Sequence, residues 1–153
     1  MSQRIQRFSR ILKLRENDRE VEQIALAAER REEEEVLQRL DALGHEKKTA
    51  LNSFSDNRDR VCSGREIWFQ RQSIDVLEKR IDKGKENLSD VQNRISLTEM
   101  RLVERHRDVR MMEGYVDRLK DDERLSVIAA EQNELDDISV TRYARRVRGN
   151  TVK

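Results

Sequence analysis

Apolar or small residues recur along the second half of the chain at steps of three and four, from Ile74 through Leu77, Ile81, Gly84, Leu88, Val91, Ile95, Thr98, Leu102, Arg105, Val109, Met112 and Val116 to Leu119. Steps averaging about 3.5 residues keep one stripe facing a partner helix under a left-handed supercoil, and a repeat sustained this long rarely arises by chance. Gly84, Thr98 and Arg105 weaken the stripe, either as tolerated defects or as places where the partner helix supplies the bulk. The first half repeats the theme less regularly, through Phe8, Ile11, Leu14, Val21, Ile24, Ala28, Val36, Leu40, Leu43, Ala50 and Phe54. Between Ala28 and Val36 lies ERREEEE, where the step lengthens and the pattern predicts a stutter with a solvated charged face.

The one cluster of turn formers, SFSDNRDRVCSGRE, separates the halves and predicts that the chain folds back there. Ser63 followed by Glu66 fits a capping box at the start of the second helix. The expected fold is all-α, a long antiparallel two-helix coiled-coil hairpin forming one domain over 1–153: a first helix at about 3–56, a turn at 57–63, a second helix at 64–144 and a frayed basic tail at 145–153. At about 1.5 Å per residue, the second arm outreaches the first by roughly 40 Å. Leu125, Ile128, Leu135 and Ile138, with Val127 and Tyr143 beside them, then form an apolar face that Ile5 and Phe8 cover only in part. Such a face usually awaits another protein.

Composition supports a seam rather than a spherical core. Apolar residues make up 35% and charged residues 41% of the 153, against about 45–50% and about 25% in ordinary soluble domains. Proline is absent and only 5 glycines occur. The 32 Lys+Arg against 31 Asp+Glu nearly cancel, so the average field predicts neither nucleic acid nor an anionic membrane as the main ligand. Cys62 is the only cysteine, which excludes an internal disulfide and suits a reducing cytoplasm. The opening MSQRIQRFSR lacks the apolar region of a secretory signal, and no stretch approaches a membrane span.

Candidate chemistry is sparse. A catalytic site needs a concave pocket that a two-stranded coil does not enclose. His45 and His106 are the only histidines, no Gly-rich phosphate loop occurs, and Glu32 to Glu35 point about 100° apart on successive helix residues, away from a common ion. The expectation is therefore no enzyme, no cofactor and no metal. Trp68 and Phe69 are the exceptional apolar pair: one can enter the seam while the other lies near the surface, as an interface anchor or in a cluster closing the hairpin with Phe54, Val61 and Ile67.

Phe8, Ile11 and Leu14 followed by the polar stretch to Glu20, Trp68-Phe69 followed by Ile74, Leu77, Glu78, Lys79 and Ile81, and above all Glu131-Gln132, Leu135-Asp136-Asp137, Arg142, Arg145 and Arg146 together resemble the flagellar export protein FliJ family over nearly the full length. The resemblance implies a cytoplasmic stalk of the flagellar type III export apparatus, similar also to the YscO-like proteins of injectisomes, peripheral at the inner face of the cell membrane. It implies seating in the hexameric export ATPase FliI and promotion of its assembly, contact with the export gate protein FlhA, and handling of export chaperones.

The ATPase-facing candidates are Arg7, Phe8, Arg10, Ile11, Leu14, Arg15, Glu131, Gln132, Leu135, Asp136, Asp137 and Arg142. By the same resemblance the gate-facing candidates are Leu43, Trp68, Ser73, Leu77 and Arg80, although Glu46 and Ala50 stand where relatives carry aromatic residues. Two other classes compete with this reading. One is a nucleic-acid-binding arm using the C-terminal arginines, and the other is a structural coil whose Leu125 to Tyr143 stripe joins copies of itself.

Overall fold

The computed structural model describes residues 2–56 and 63–151. Two helices account for them, α1 over Gln3–Asp56 and α2 over Gly64–Thr151, packed against each other as an antiparallel helical hairpin, with no strand among the described residues. Of the turn expected over 57–63, residues 57–62, with Val61 and Cys62, lie outside the described residues. Both helix starts carry a serine cap. The Ser2 hydroxyl accepts from the Ile5 amide at 3.3 Å, and the Ser63 hydroxyl accepts from the Glu66 amide at 3.3 Å, so each satisfies an amide that the first helical turn would otherwise leave unpaired.

Contacts divide the chain into one unit of Arg19–Glu104 and another of Met1–Asp18 with Arg105–Lys153. In the first, Glu22 meets Arg101, Glu32 meets Arg94 and Lys47 meets Glu78, so α1 ascends as α2 descends. The core here is a cluster of Leu26, Val91 and Ile95, with Leu102 against it. Every seam position expected on α2 is buried or half-buried, including Gly84, Thr98 and, in the other unit, Arg105. At Gly84 the reason is direct: an added Cβ would lie 2.6 Å from Leu40 Cδ2, so the leucine of α1 occupies the space that a side chain would fill. Thr98 is 0% exposed and is reached by Glu29.

The α1 seam departs from the expected register. Leu14, Val21 and Ile24 are 61%, 63% and 64% exposed, and Ala28 is exposed too. From Arg19 onward the inward positions step through Arg19, Glu22, Leu26, Glu29, Glu33, Val36, Leu40, Leu43, Lys47, Ala50 and Phe54, with Ala25 half-buried beside Leu26, a heptad without the stutter expected between Ala28 and Val36. Following apolar residues alone misplaces the register because charged side chains hold several of its inward positions. Lys47 fits by laying its methylene stem along the seam and carrying its charge to Glu78 at the edge, whereas Glu29 keeps its carboxylate inside and accepts from Thr98.

In the second unit Ile5, Val109 and Val116 are buried, and Phe8 packs edge-on against Tyr115 with ring centroids 4.8 Å apart. Arg4 donates to the Tyr115 hydroxyl at 3.0 Å. Glu123 is the last half-buried residue of α2, and every residue over 124–151 is exposed. The helix also continues past the expected boundary near 144, through the arginine run to Thr151. No proline intervenes, the first glycine of this stretch is Gly149, and alanine and arginine are favourable in helices.

Candidate functional site

Three places on the hairpin gather groups that could do more than pack. The first is a polar layer inside the seam. Thr98 donates its hydroxyl to Glu29 Oε1 at 3.0 Å and accepts from Arg101 Nη2 at 3.1 Å, while Arg101 also approaches Glu22 at 3.4 Å. Glu29 Oε2 is buried without a hydrogen-bond partner. Around this layer Arg30 pairs with Glu99 at 3.2 Å and Arg94 with Glu32 at 2.9 Å. Hydrogen bonding and the charge of Glu32 raise the Arg94 guanidinium further above its ordinary pKa. These groups pair with one another across the helices, and such a layer sets register more than it binds a ligand.

The second place is near the start of α2. Trp68 and Phe69 meet edge to face at 5.2 Å, and both are exposed, at 56% and 57%, so neither enters the seam as expected of one of them. The seam at this level is instead approached by Gln70. Phe69, Ser73, Val76, Leu77 and Arg80 line a shallow groove, and Leu43 and Arg80 share the lining of a second groove with Val36, Leu40 and Gly84. Four of the five gate-facing candidates, Leu43, Ser73, Leu77 and Arg80, thus lie along two adjoining grooves, with Trp68 next to Phe69 at their edge. Ser73 spends its hydroxyl on the Phe69 carbonyl at 3.1 Å.

The third is the uncovered stretch of α2 over 124–151. Leu125 is 60%, Leu135 63% and Tyr143 71% exposed. Glu131, Gln132, Leu135, Asp136, Asp137 and Arg142 all lie on it, exposed. The α1 candidates sit elsewhere on this unit: Phe8 and Ile11 are half-buried in the pairing with α2, Phe8 being spent on Tyr115, whereas Arg7, Arg10, Leu14 and Arg15 face outward. The structure therefore distributes the ATPase-facing candidates over two stretches. Sequence reasoning missed Tyr115 and the Glu29–Thr98 contact. The first could have been found from its hydroxyl and ring opposite Phe8 once the register was known; the second needed the register of α1 itself.

Among the described residues no three His, Cys, Asp or Glu side chains come together as metal ligands, and no helix is long and apolar enough to cross a membrane. What the fold and these surfaces define is a helical-hairpin interaction protein, with a half-polar seam inside and apolar and charged side chains presented outward. The chain matches the Flagellar FliJ protein family over residues 3–148 and belongs to it, which makes it a component of the flagellar export apparatus. No curated protein and no solved structure matches it.

Proposed function

We propose that this chain is the stalk of the export apparatus: it binds the hexameric export ATPase FliI, promotes assembly of the ATPase ring and couples it to the export gate protein FlhA, with a part in handling export chaperones. It works at the inner face of the cell membrane, held there through the apparatus. The observation that carries this reading is the stretch of α2 over 124–151, which holds its helical form while presenting Leu125, Ile128 and Leu135, all exposed, beside carboxylates and arginines. An amphipathic helix of this kind is suited to a hydrophobic groove with a polar rim. The adjoining grooves around Arg80 supply a separate surface for the gate.

The test is to add the purified protein to the cognate export ATPase and follow ring assembly by light scattering and ATP hydrolysis by phosphate release. Both should rise with the amount added. A flat response at every molar ratio sinks the reading.

A further inference from the structure

The stretch of α2 after Ile138 differs in kind from the acidic stretch before it. From Ile138 to Thr151 there is no acidic residue, while Arg142, Arg145, Arg146 and Arg148 fall within it. Because this segment is helical through Thr151, its side chains have fixed faces. At about 100° per residue, Val140, Tyr143 and Val147 share one side, Arg142 and Arg145 lie opposite, and Arg146 and Arg148 lie on the two flanks. The three apolar residues are 67%, 71% and 47% exposed. Among the described residues none of the four arginines has an ion-pair partner.

We propose that this segment is a surface-binding amphipathic helix that docks directly on an anionic lipid bilayer. It would lie in the interface with Val140, Tyr143 and Val147 toward the acyl boundary and its arginines among the headgroup phosphates. The charge pattern selects the anion, because four unpaired guanidiniums without a carboxylate between them gain from a negative surface and not from a neutral one. The opposite face selects the class of partner. Nucleic acid would satisfy the arginines but leave two valines and a tyrosine in water, whereas a bilayer takes both faces at once, with the tyrosine at the level where its ring and hydroxyl are both satisfied. The acidic block Glu131, Glu134, Asp136 and Asp137 opposes this only locally. Asp137 and Asp136 lie about 7 to 9 Å before Arg142 along the helix, close to the Debye length of roughly 8 Å, so they weaken the attraction of the four guanidiniums without removing it. The inference shares the uncovered helix and Arg142 with the ATPase reading but does not rest on it: it assigns the segment after Ile138 a ligand that needs no other protein, so vesicle binding and ATPase stimulation fail independently.

The experiment is co-sedimentation of the full-length protein with vesicles of phosphatidylcholine alone and with vesicles that also contain phosphatidylglycerol, at low and physiological salt. Binding is expected to the anionic vesicles only and to weaken as salt rises. The triple variant Arg142→Gln/Arg145→Gln/Arg146→Gln should lose about a hundredfold in affinity. Tyr143→Ser/Val147→Ser should bind more weakly at every salt concentration while keeping the salt dependence. Circular dichroism of each variant checks that the helix persists; where it does not, the wild-type comparison between the two vesicle types still decides. Absence of binding, equal binding to neutral vesicles, or an unchanged serine variant overturns the proposal. Retention by polyuridylate or by a purified acidic protein, with none by vesicles, likewise overturns it and assigns the arginines to that partner.

Discussion

Thr98 shows how much one side chain decides in a seam this thin. It is 0% exposed, and its hydroxyl both donates to Glu29 and accepts from Arg101. Replacing it by valine keeps the shape but removes the Thr98 hydrogen bond to Glu29 Oε1, when Oε2 already lacks a partner among the described residues. Leaving a buried carboxylate so poorly satisfied costs about 1–3 kcal/mol. Thr98→Val should therefore lower stability by that amount in urea unfolding followed by circular dichroism. The double variant Glu29→Leu/Thr98→Val should recover the loss or exceed the parent, because an apolar layer needs no desolvated charge to be repaid. If the two substitutions are simply additive, the hydrogen bond contributes nothing and the layer does not act as a unit. The expected return of stability comes with a loss of specification: a polar layer matches only one register of the two helices, whereas an apolar one tolerates several.

Between elements, Gly44 and Gly84, two of the three glycines that sit well inside the helices, behave oppositely. Nothing lies within 4 Å of a Cβ built at Gly44, so Gly44→Ala gains the helix propensity of alanine, about 1 kcal/mol, without displacing a neighbour. At Gly84 the same gain is set against Leu40, whose Cδ2 and Cγ would lie 2.6 and 3.3 Å from the new carbon. Shifting a seam leucine costs about 1–3 kcal/mol, so Gly84→Ala should be destabilising by about 1 kcal/mol in thermal melts, while Gly44→Ala raises the midpoint. The same contrast explains what was legible beforehand. α2 announces its seam because apolar side chains hold nearly all its inward positions, and Gly84 and Thr98 fall in register as gaps that Leu40 and Glu29 fill. α1 conceals its seam because Glu22, Glu29, Glu33 and Lys47 point inward while Leu14, Val21 and Ile24 point outward. Only the pairing with α2 decides between those two stripes, and pairing is not a property of one helix's sequence. The helical state of 145–151 was hidden for a related reason: arginine-rich ends read as frayed when judged by charge alone, though no proline occurs in the run and its one glycine comes only at Gly149.

For the whole molecule, the covered and uncovered parts of α2 should separate stability from partner binding. Seam burial ends at Glu123, and every residue over 124–151 is exposed, so the later stretch makes no packing contribution that its removal could take away. A chain ending after Glu123 should then melt within about 2 °C of the full-length protein, since a shift that small corresponds to well under 1 kcal/mol for a domain of this size. Its stimulation of the export ATPase should be lost, because Glu131, Leu135, Asp136, Asp137 and Arg142 go with the deleted stretch while Phe8 remains half-buried against Tyr115. The two readouts fail in different ways. A melting point several degrees lower means that the stretch supports the hairpin and that its exposure understates its role. Undiminished stimulation at an unchanged melting point removes the uncovered helix from the ATPase contact and leaves the outward arginines of α1, Arg7, Arg10 and Arg15, as the surface to test next.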